Sequence, residues 1–366
     1  MTTLVEESDN KILPVQGEDG DTELITHQLA PTNPTVWNRV LGAIVITSVL
    51  GCMALGPLLP LLLVTSAILY PSTFPFVVTV TALLIASMIF ARHSPLWCRW
   101  HLQSAGYFTK GVFLHMERRS VRAMAQATGS MWCMHPHGTS LGFGFSLNGA
   151  VRFRANDDAR FVPPILVQHI AQERLRNTNG VMAPILFQIP LIRQMLLGFG
   201  CCTPATKVDM KALLARGVDF GILPGGMEEV ALYSHGQDRV YLSRRAGFIK
   251  YALQYGYLVQ PAYTFGESDL YQSMTMGTKL RLWVQKHFGF IIPIFWGPYG
   301  MVMPWLPRSD VALHTVLGAP LQLPHIAEPT PEQVSKYHQL YIDALTQLFD
   351  THKTRFGYEN RKLQVL

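Results

Sequence analysis

Hydrophobic and polar positions divide the chain into three textures. Residues 1–35 are polar and show no sustained period. Between Arg39 and Arg92 stand 52 consecutive positions without a charged side chain. From about Gly129 onward, short apolar runs alternate with stretches of helical period. The middle texture is long enough for two membrane passes, since one pass needs about 20 apolar residues. The break falls at Pro71-Ser72-Thr73-Phe74-Pro75, because two prolines remove donors and end helices. Pro57 and Pro60 are expected to kink or shorten the first pass, and the second reads as residues 76–90. A hairpin that enters one leaflet and returns fits the same pattern. A buried hydrophobic hairpin in a soluble core fits it less well, because so long a charge-free run is rare there.

The third texture predicts an α/β domain. Residues 130–134 read as a strand ending at His135, and residues 165–168 as another. Residues 207–216 are helical, with Leu213 and Leu214 on the apolar face; Gly217 closes them and residues 218–223 form a strand. Residues 244–255 read as a helix capped by Gly256, followed by a strand over 258–264, and residues 311–317 as a late strand. This alternation argues a parallel or mixed sheet. The clearest element comes last. Thr330-Pro331-Glu332-Gln333 is a capping box with proline at the first helical position. Val334, Tyr337, Tyr341, Leu345 and Leu348 then follow one helical stripe, and Gly357 is a natural stop.

Charge adds an orientation. Only 15% of residues are charged, 49% are hydrophobic, and the net charge is +6. Residues 1–35 carry Glu6, Glu7, Asp9, Glu18, Asp19, Asp21 and Glu23 against Lys11 alone, so a net of −6 there leaves +12 for the rest. An acidic stretch without aromatics reads as a disordered cytosolic tail, and its acidic start excludes a signal peptide. Arg39 precedes the hairpin, and Arg92, Arg99, Lys110, Arg118, Arg119 and Arg122 follow it. Positive charge marks the cytosolic side. The expected order is therefore a cytosolic tail (1–35), a two-pass or re-entrant hairpin (36–91) and a cytosolic α/β domain (92–366). Such a composition excludes a coiled coil and a highly charged soluble domain. A basic body behind an apolar hairpin suits an anionic leaflet and an anionic ligand better than nucleic acid. Cys52, Cys98, Cys133, Cys201 and Cys202 are scattered and form no CxxC pair, as expected of reduced thiols facing the cytosol.

Three constellations carry candidate chemistry. His135-Pro136-His137-Gly138 follows a predicted strand, where open α/β sheets put ligands. Pro136 holds His135 extended, and Gly138 permits close approach of a substrate. A histidine there suits a general base near neutral pH. Half of a metal site, or a hydrogen-bonded structural residue, is the competing reading, although no acid or histidine set completes a metal site. Pro224-Gly225-Gly226-Met227-Glu228-Glu229 also follows a strand; its glycine N–H groups suit an oxyanion, and a carboxylate beyond them suits orienting a histidine. On its own, a tight turn with surface acids is the better reading. Arg245-Ala246-Gly247-Phe248 leads to Pro261-Ala262-Tyr263-Thr264-Phe265-Gly266-Glu267. Arginines at a helix start oppose the dipole, which points to an anionic partner unless the pair is simply solvated.

On these residues the chain resembles the diacylglycerol acyltransferase type 2 family, which includes monoacylglycerol and wax-alcohol acyltransferases. The HPHG block (His135 to Gly138), the Pro-Gly-Gly-x-x-Glu block (Pro224 to Glu229), the block from Arg245 to Glu267 and the ending from Leu317 onward stand in family order behind the hairpin. The resemblance covers roughly residues 36–360. It departs from the family pattern at Thr109 after Tyr107-Phe108, and at Leu258-Val259-Gln260-Pro261. It implies a membrane-anchored α/β fold, with an N-terminal transmembrane helical hairpin followed by a glycerolipid-acyltransferase-like domain with a mixed sheet.

The resemblance also implies a reaction, the transfer of a fatty acyl group from acyl-CoA to diacylglycerol. Monoacylglycerol or a long-chain alcohol is the alternative acceptor, and a non-catalytic hairpin or lipid-droplet protein the more distant alternative. His137, or else His135, is the expected base. In glycerophospholipid acyltransferases the histidine is followed by an aspartate, but here Ser140 and Gly142 stand at that spacing, so Glu229 is the expected orienting group. Pro136, Gly138, Gly225, Gly226, Arg245, Gly247, Phe248, Gly266 and Glu267 are the expected substrate-binding residues, with Arg245 holding CoA phosphates. The related enzymes have an arginine in the loop that reads Pro-Gly-Gly-Met-Glu-Glu here; its absence favours a neutral acceptor. No metal and no permanently bound cofactor is expected, with acyl-CoA as co-substrate. The expected location is the endoplasmic reticulum membrane, with lipid droplets and self-association left open.

Overall fold

A computed structural model of the chain describes residues 23–30, 33–139, 142–154, 161–274, 276–289, 291 and 293–366. Most of the expected acidic tail, residues 1–22, lies outside the described residues. Its last part corrects the expectation of disorder: Leu24–Ala30 form strand β1. The Thr26 hydroxyl meets the His115 ring at 2.8 Å, which pins this edge strand to the next one. The acidic composition ends at Glu23, and averaging over residues 1–35 hid the change.

Helix α1, Val36–Leu69, begins at Thr35, whose side chain accepts from the Asn38 N–H, and it contains Pro57 and Pro60 without being shortened. Each proline removes one donor, which leaves the rest of the ladder intact. A 3-10 turn over Pro71–Thr73 leads into helix α2, Phe74–Phe90, so the break falls where the prolines place it. The two helices are long and apolar enough to cross a membrane, with a mean hydropathy of 2.1 each. Their surroundings differ. Val45, Ile46, Val49 and Leu50 of α1 share a core cluster with Cys98 and Leu102 of helix α3, Pro95–Ala105. Of α2, Val77 alone is buried.

Strands β2 (Val112–Glu117) and β3 (Ser130–His135) follow, then helix α4 (Phe143–Asn148). Pro164–His169 form helix α5, where a strand was expected over residues 165–168. A three-residue apolar run has no period of its own, and proline at the first position presets a helix. Next come β4 (Asn179–Met182), α6 (Ile192–Phe199), β5 (Cys202–Pro204), β6 (Phe220–Ile222) and α7 (Gly226–Leu232). Helix α8 is Gly247–Tyr255, three residues shorter at its start than the pattern predicts, so Arg244 and Arg245 stand in the turn before it. Strands β7 (Leu258–Phe265), β8 (Leu313–Leu317) and β9 (Leu321–Gln322) precede helix α9, Pro331–His352, whose capping box is complete.

Among the described residues the main sheet runs β1-β2-β8-β7-β3-β6-β4-β5, with β9 paired to β7. Strands β7, β3, β6, β4 and β5 are parallel; β8 is antiparallel to β7, and β1 to β2. The sheet is mixed, as the alternation predicts. Successive side chains of a strand face opposite sides. Met131 and Cys133 therefore meet the face covered by α8 and α9, while Trp132 and Met134 meet the face covered by α5. Because β6, β3 and β7 are parallel neighbours, their carboxyl ends lie side by side.

Candidate active site

Three turns leave those adjacent strand ends: His135-Pro136-His137-Gly138 after β3, Pro224-Gly225-Gly226 after β6 and Gly266-Glu267 after β7. The sheet thus gathers motifs that stand far apart in the sequence. His135 continues the inward alternation of β3 and is 1% exposed. Its Nε2 lies 2.9 Å from the Tyr341 hydroxyl on α9, which also reaches the Cys133 carbonyl at 3.5 Å. Phe248 of α8 packs edge-on against the Tyr341 ring at 4.9 Å and so supports that contact. Pro136 is buried, and its bond to His135 is cis. His137 lies beyond the strand end and is half-buried.

Two buried carboxylates clamp this turn. Glu229 of α7 is 4% exposed. One of its oxygens accepts from the His137 backbone N–H at 2.5 Å, and the other from the Tyr241 N–H at 2.9 Å. Glu267, 2% exposed, accepts from the N–H groups of Phe143 and Gly144 at 2.9 and 2.8 Å. Glycine is required where the carboxylates touch the turns. A Cβ on Gly225 would lie 1.8 Å from Oε2 of Glu229; one on Gly138, whose φ is +72°, would lie 2.3 Å from Oε1 of Glu267. Each carboxyl group thus gathers two backbone donors from separate or adjoining segments, and together they fix the turn in place.

Glu229 therefore reaches the motif in a different way from the one expected. It holds the main chain of His137, not its ring. The nearer ring is that of His135, whose Nδ1 is 3.9 Å away, beyond hydrogen-bond range. The ring Nδ1 atoms of both His135 and His137 are buried without a partner among the described residues, and no hydrogen bond reaches the His137 ring there. Gly226 donates its N–H to the Leu223 carbonyl and is thereby occupied. Arg245 pairs with Glu228, and its guanidinium lies 5.9 Å over the Tyr241 ring. Gly266 turns the chain at the end of β7, and Gly247 opens α8 with open space around it. Phe248 is core, not surface. Of the site residues read from the sequence, His135, Pro136, His137, Gly138, Gly225, Glu229 and Glu267 come together around the turn. Arg245 and Gly226 lie beside them, and Gly247 and Phe248 act at a distance. Tyr341 was read only as part of a helical stripe; nothing local signals a partner 206 residues away.

Burial sets the protonation states. Burial, with His137 adding to it, pushes the His135 pKa down to about 3, and burial pushes that of His137 to about 4. Both imidazoles are neutral at physiological pH, so each keeps a lone pair. Burial raises the pKa of Glu229 and of Glu267 to about 7, against the pull of their backbone donors.

Comparison with known proteins adds the family. A sequence model described as "Diacylglycerol acyltransferase" matches residues 167–366. The chain is 35% identical over 189 residues to "Diacylglycerol O-acyltransferase 1" of Eremothecium gossypii, covering 49% of this chain and 41% of that one. It is 38% identical over 190 residues to "Acyl-CoA wax alcohol acyltransferase 2" of Mus musculus, covering 49% and 56%. It is 35% identical over 246 residues to "Diacylglycerol O-acyltransferase 2-like protein 6" of Homo sapiens, covering 63% and 68%. The matches thus span about half the length of the first two relatives. With the family match covering more than half of the chain, the protein belongs to the diacylglycerol acyltransferase family.

Proposed function

We propose that the protein transfers a fatty acyl group from acyl-CoA to the free hydroxyl of diacylglycerol, with His137 as general base. The observation that carries the assignment is the contrast within the motif: the His135 ring is sealed in the core with its Nε2 held by Tyr341, while the half-buried His137 ring makes no hydrogen bond among the described residues. A neutral imidazole takes the hydroxyl proton as the oxygen attacks the thioester carbonyl. The C–S bond then breaks, the ester forms, and the proton passes to the CoA thiolate. The N–H groups of Gly138 and Gly225 have no partner among the described residues and suit the developing oxyanion. The two clamps keep these groups in place while charge develops.

A neutral acceptor is supported by charge. Arg245 is matched by Glu228 at the mouth of the glycine turn and so is not free to bind an acceptor phosphate. The same pair weakens Arg245 as a ligand for CoA phosphates; binding them there requires opening it. The names of the relatives span diacylglycerol, wax-alcohol and 2-acylglycerol acceptors, so the chemistry is shared while the acceptor varies. We place α1 and α2 in the endoplasmic reticulum membrane, with the tail (1–35) and the domain (92–366) on its cytosolic face. The exposed apolar faces of both helices and the basic flanks support this. Trp296, which is 40% exposed, suits the same interface. The test is acyl transfer by the purified protein to a panel of diacylglycerol, monoacylglycerol and a long-chain alcohol, with products identified by mass. Fastest formation of triacylglycerol is expected; transfer to none of them overturns the proposal.

A further inference from the structure

Both carboxylates that hold the HPHG turn are tied to one late segment of the chain. Glu229 accepts from the Tyr241 N–H at 2.9 Å, and Tyr241 lies between Val240 and Leu242. Those flanking residues carry a second strand. Gln364–Val365 pair in parallel with Arg239–Val240. Main-chain bonds extend the pairing at both ends. The Gln364 N–H donates to the Asp238 carbonyl and the Leu366 N–H to the Val240 carbonyl, each at 2.8 Å. The N–H groups of Leu242 and Ser243 donate to one Leu366 oxygen at 3.0 and 2.9 Å. Successive N–H groups of an extended chain point to opposite edges. The pairing that turns the Leu242 N–H toward Leu366 therefore turns the Tyr241 N–H away from it, toward Glu229.

The same segment reaches the other carboxylate. Glu267 opens the 3-10 turn Glu267–Asp269. Asp269 accepts from the Tyr358 hydroxyl at 2.9 Å and from Nη2 of Arg361 at 2.7 Å. Nη1 of Arg361 reaches the Ser268 hydroxyl at 3.2 Å and the Asp238 carboxylate at 3.5 Å. Asp238 is 3% exposed, and it also accepts from the hydroxyls of Tyr263 and Ser268 at 2.7 and 2.8 Å. One guanidinium thus joins the turn that carries Glu267 to the strand that supports Glu229. The planar fork of an arginine suits such a bridge, because it presents several fixed donors at once.

We infer that residues 358–366 are a positioning strap for the reaction. The main chain of residues 364–366 sets the Tyr241 N–H against Glu229, and Arg361 ties that strand to the Glu267 turn. The strap acts through the two carboxylates, which in turn hold the main chain around His137. The inference rests on the acyltransferase reading above and deepens it by naming positioning residues of the same site.

The test uses the purified full chain in detergent micelles, a variant lacking residues 364–366, Arg361→Ala, Leu366→Ala and Glu229→Ala. Hydrogen exchange read by mass follows the strap without relying on turnover. The deletion is expected to lower protection about tenfold or more in peptides covering residues 135–139 and 239–243, and to leave those of β4 and β5 unchanged. In kinetics, the deletion and Arg361→Ala each lower kcat about tenfold or more while the KM for acyl-CoA stays within about threefold, because a displaced turn loses rate more than binding. Leu366→Ala, which keeps the main chain, retains the wild-type kcat. Added to Glu229→Ala, the deletion lowers kcat by no more than about a further twofold, since the group through which it acts is already gone. Full multiplication of the two losses overturns the inference, and so does unchanged exchange at residues 135–139 in a folded deletion variant. Where the deletion does not fold, Arg361→Ala gives the same two readings. A wild type that transfers no acyl group removes the acyltransferase reading instead, and exchange alone then decides whether the strap holds the turn.

Discussion

The two sides of the HPHG turn behave differently although only Pro136 separates His135 from His137. On the inner side, His135 is sealed in the core, bonded to Tyr341 and backed by Phe248. On the outer side, half-buried His137 is fixed through its main chain by Glu229 while its ring makes no hydrogen bond among the described residues. A repeated residue type in a motif thus need not mean a repeated role. The strand period points one histidine into the packing between sheet and C-terminal helix. The turn carries the other out of it. The first is held in the packing behind the turn, and the second is the one proposed above as the base.

The largest expected effect breaks this contrast directly. His137→Ala lowers kcat/KM by about 10²–10⁴-fold with an unchanged melting temperature, as expected for loss of a general base. His135→Ala instead lowers stability by about 2–3 kcal/mol, through a buried void and a Tyr341 hydroxyl left with only its long contact to the Cys133 carbonyl. Paired kinetics and melting curves in detergent separate the two. Next in size is Gly225→Ala. Its Cβ would lie 1.8 Å from Oε2 of Glu229 and 2.6 Å from the carboxyl carbon, so the whole carboxylate must shift and its bonds to the Tyr241 and His137 N–H groups are lost or distorted. A shift of about 1 Å at such a site costs up to about a hundredfold in rate, read as kcat at saturating substrates. Tyr341→Phe is smaller. It removes the buried hydrogen bond to His135 and the long one to the Cys133 carbonyl, lowers stability by about 1 kcal/mol in chemical unfolding, and lowers the rate less than tenfold.

A subtler effect lies in pH. The Glu267 carboxyl titrates at about 7 in the fold against an ordinary 4.5. With the folded pKa above the unfolded one, its stabilising contribution is full below about 4.5 and is lost as pH rises through about 7. The buried histidines have depressed pKa values and carry the opposite slope, so the informative quantity is the difference between wild type and Glu267→Gln. Melting temperatures across this window should fall with rising pH less steeply in the variant. An identical slope would mean that Glu267 stays ionised throughout.

Much of this arrangement was legible in the sequence. The strand before HPHG, the capped last helix and the proline break between the two apolar helices each have a local cause, and each stands where it was read. The elements that were misread have no local signal of their own. Residues 165–168 are too few to show a period, and Leu24–Ala30 becomes a strand only by pairing with β2. In the site, the residue types were visible but their pairings were not. That Glu229 holds a backbone N–H of His137, that Glu267 presses on Gly138 and that Tyr341 holds His135 depend on strand order, which places distant turns side by side.

The central claim is that His137, not His135, takes the proton. Its most direct test is radiolabelled oleoyl transfer from CoA to diacylglycerol by purified wild type, His135→Gln and His137→Gln, with the folded fraction measured on the same samples. Per folded molecule, His137→Gln is expected to lose at least about a hundredfold while His135→Gln keeps most of its turnover. Near-normal turnover in His137→Gln, or loss confined to His135→Gln at full folding, would contradict the account.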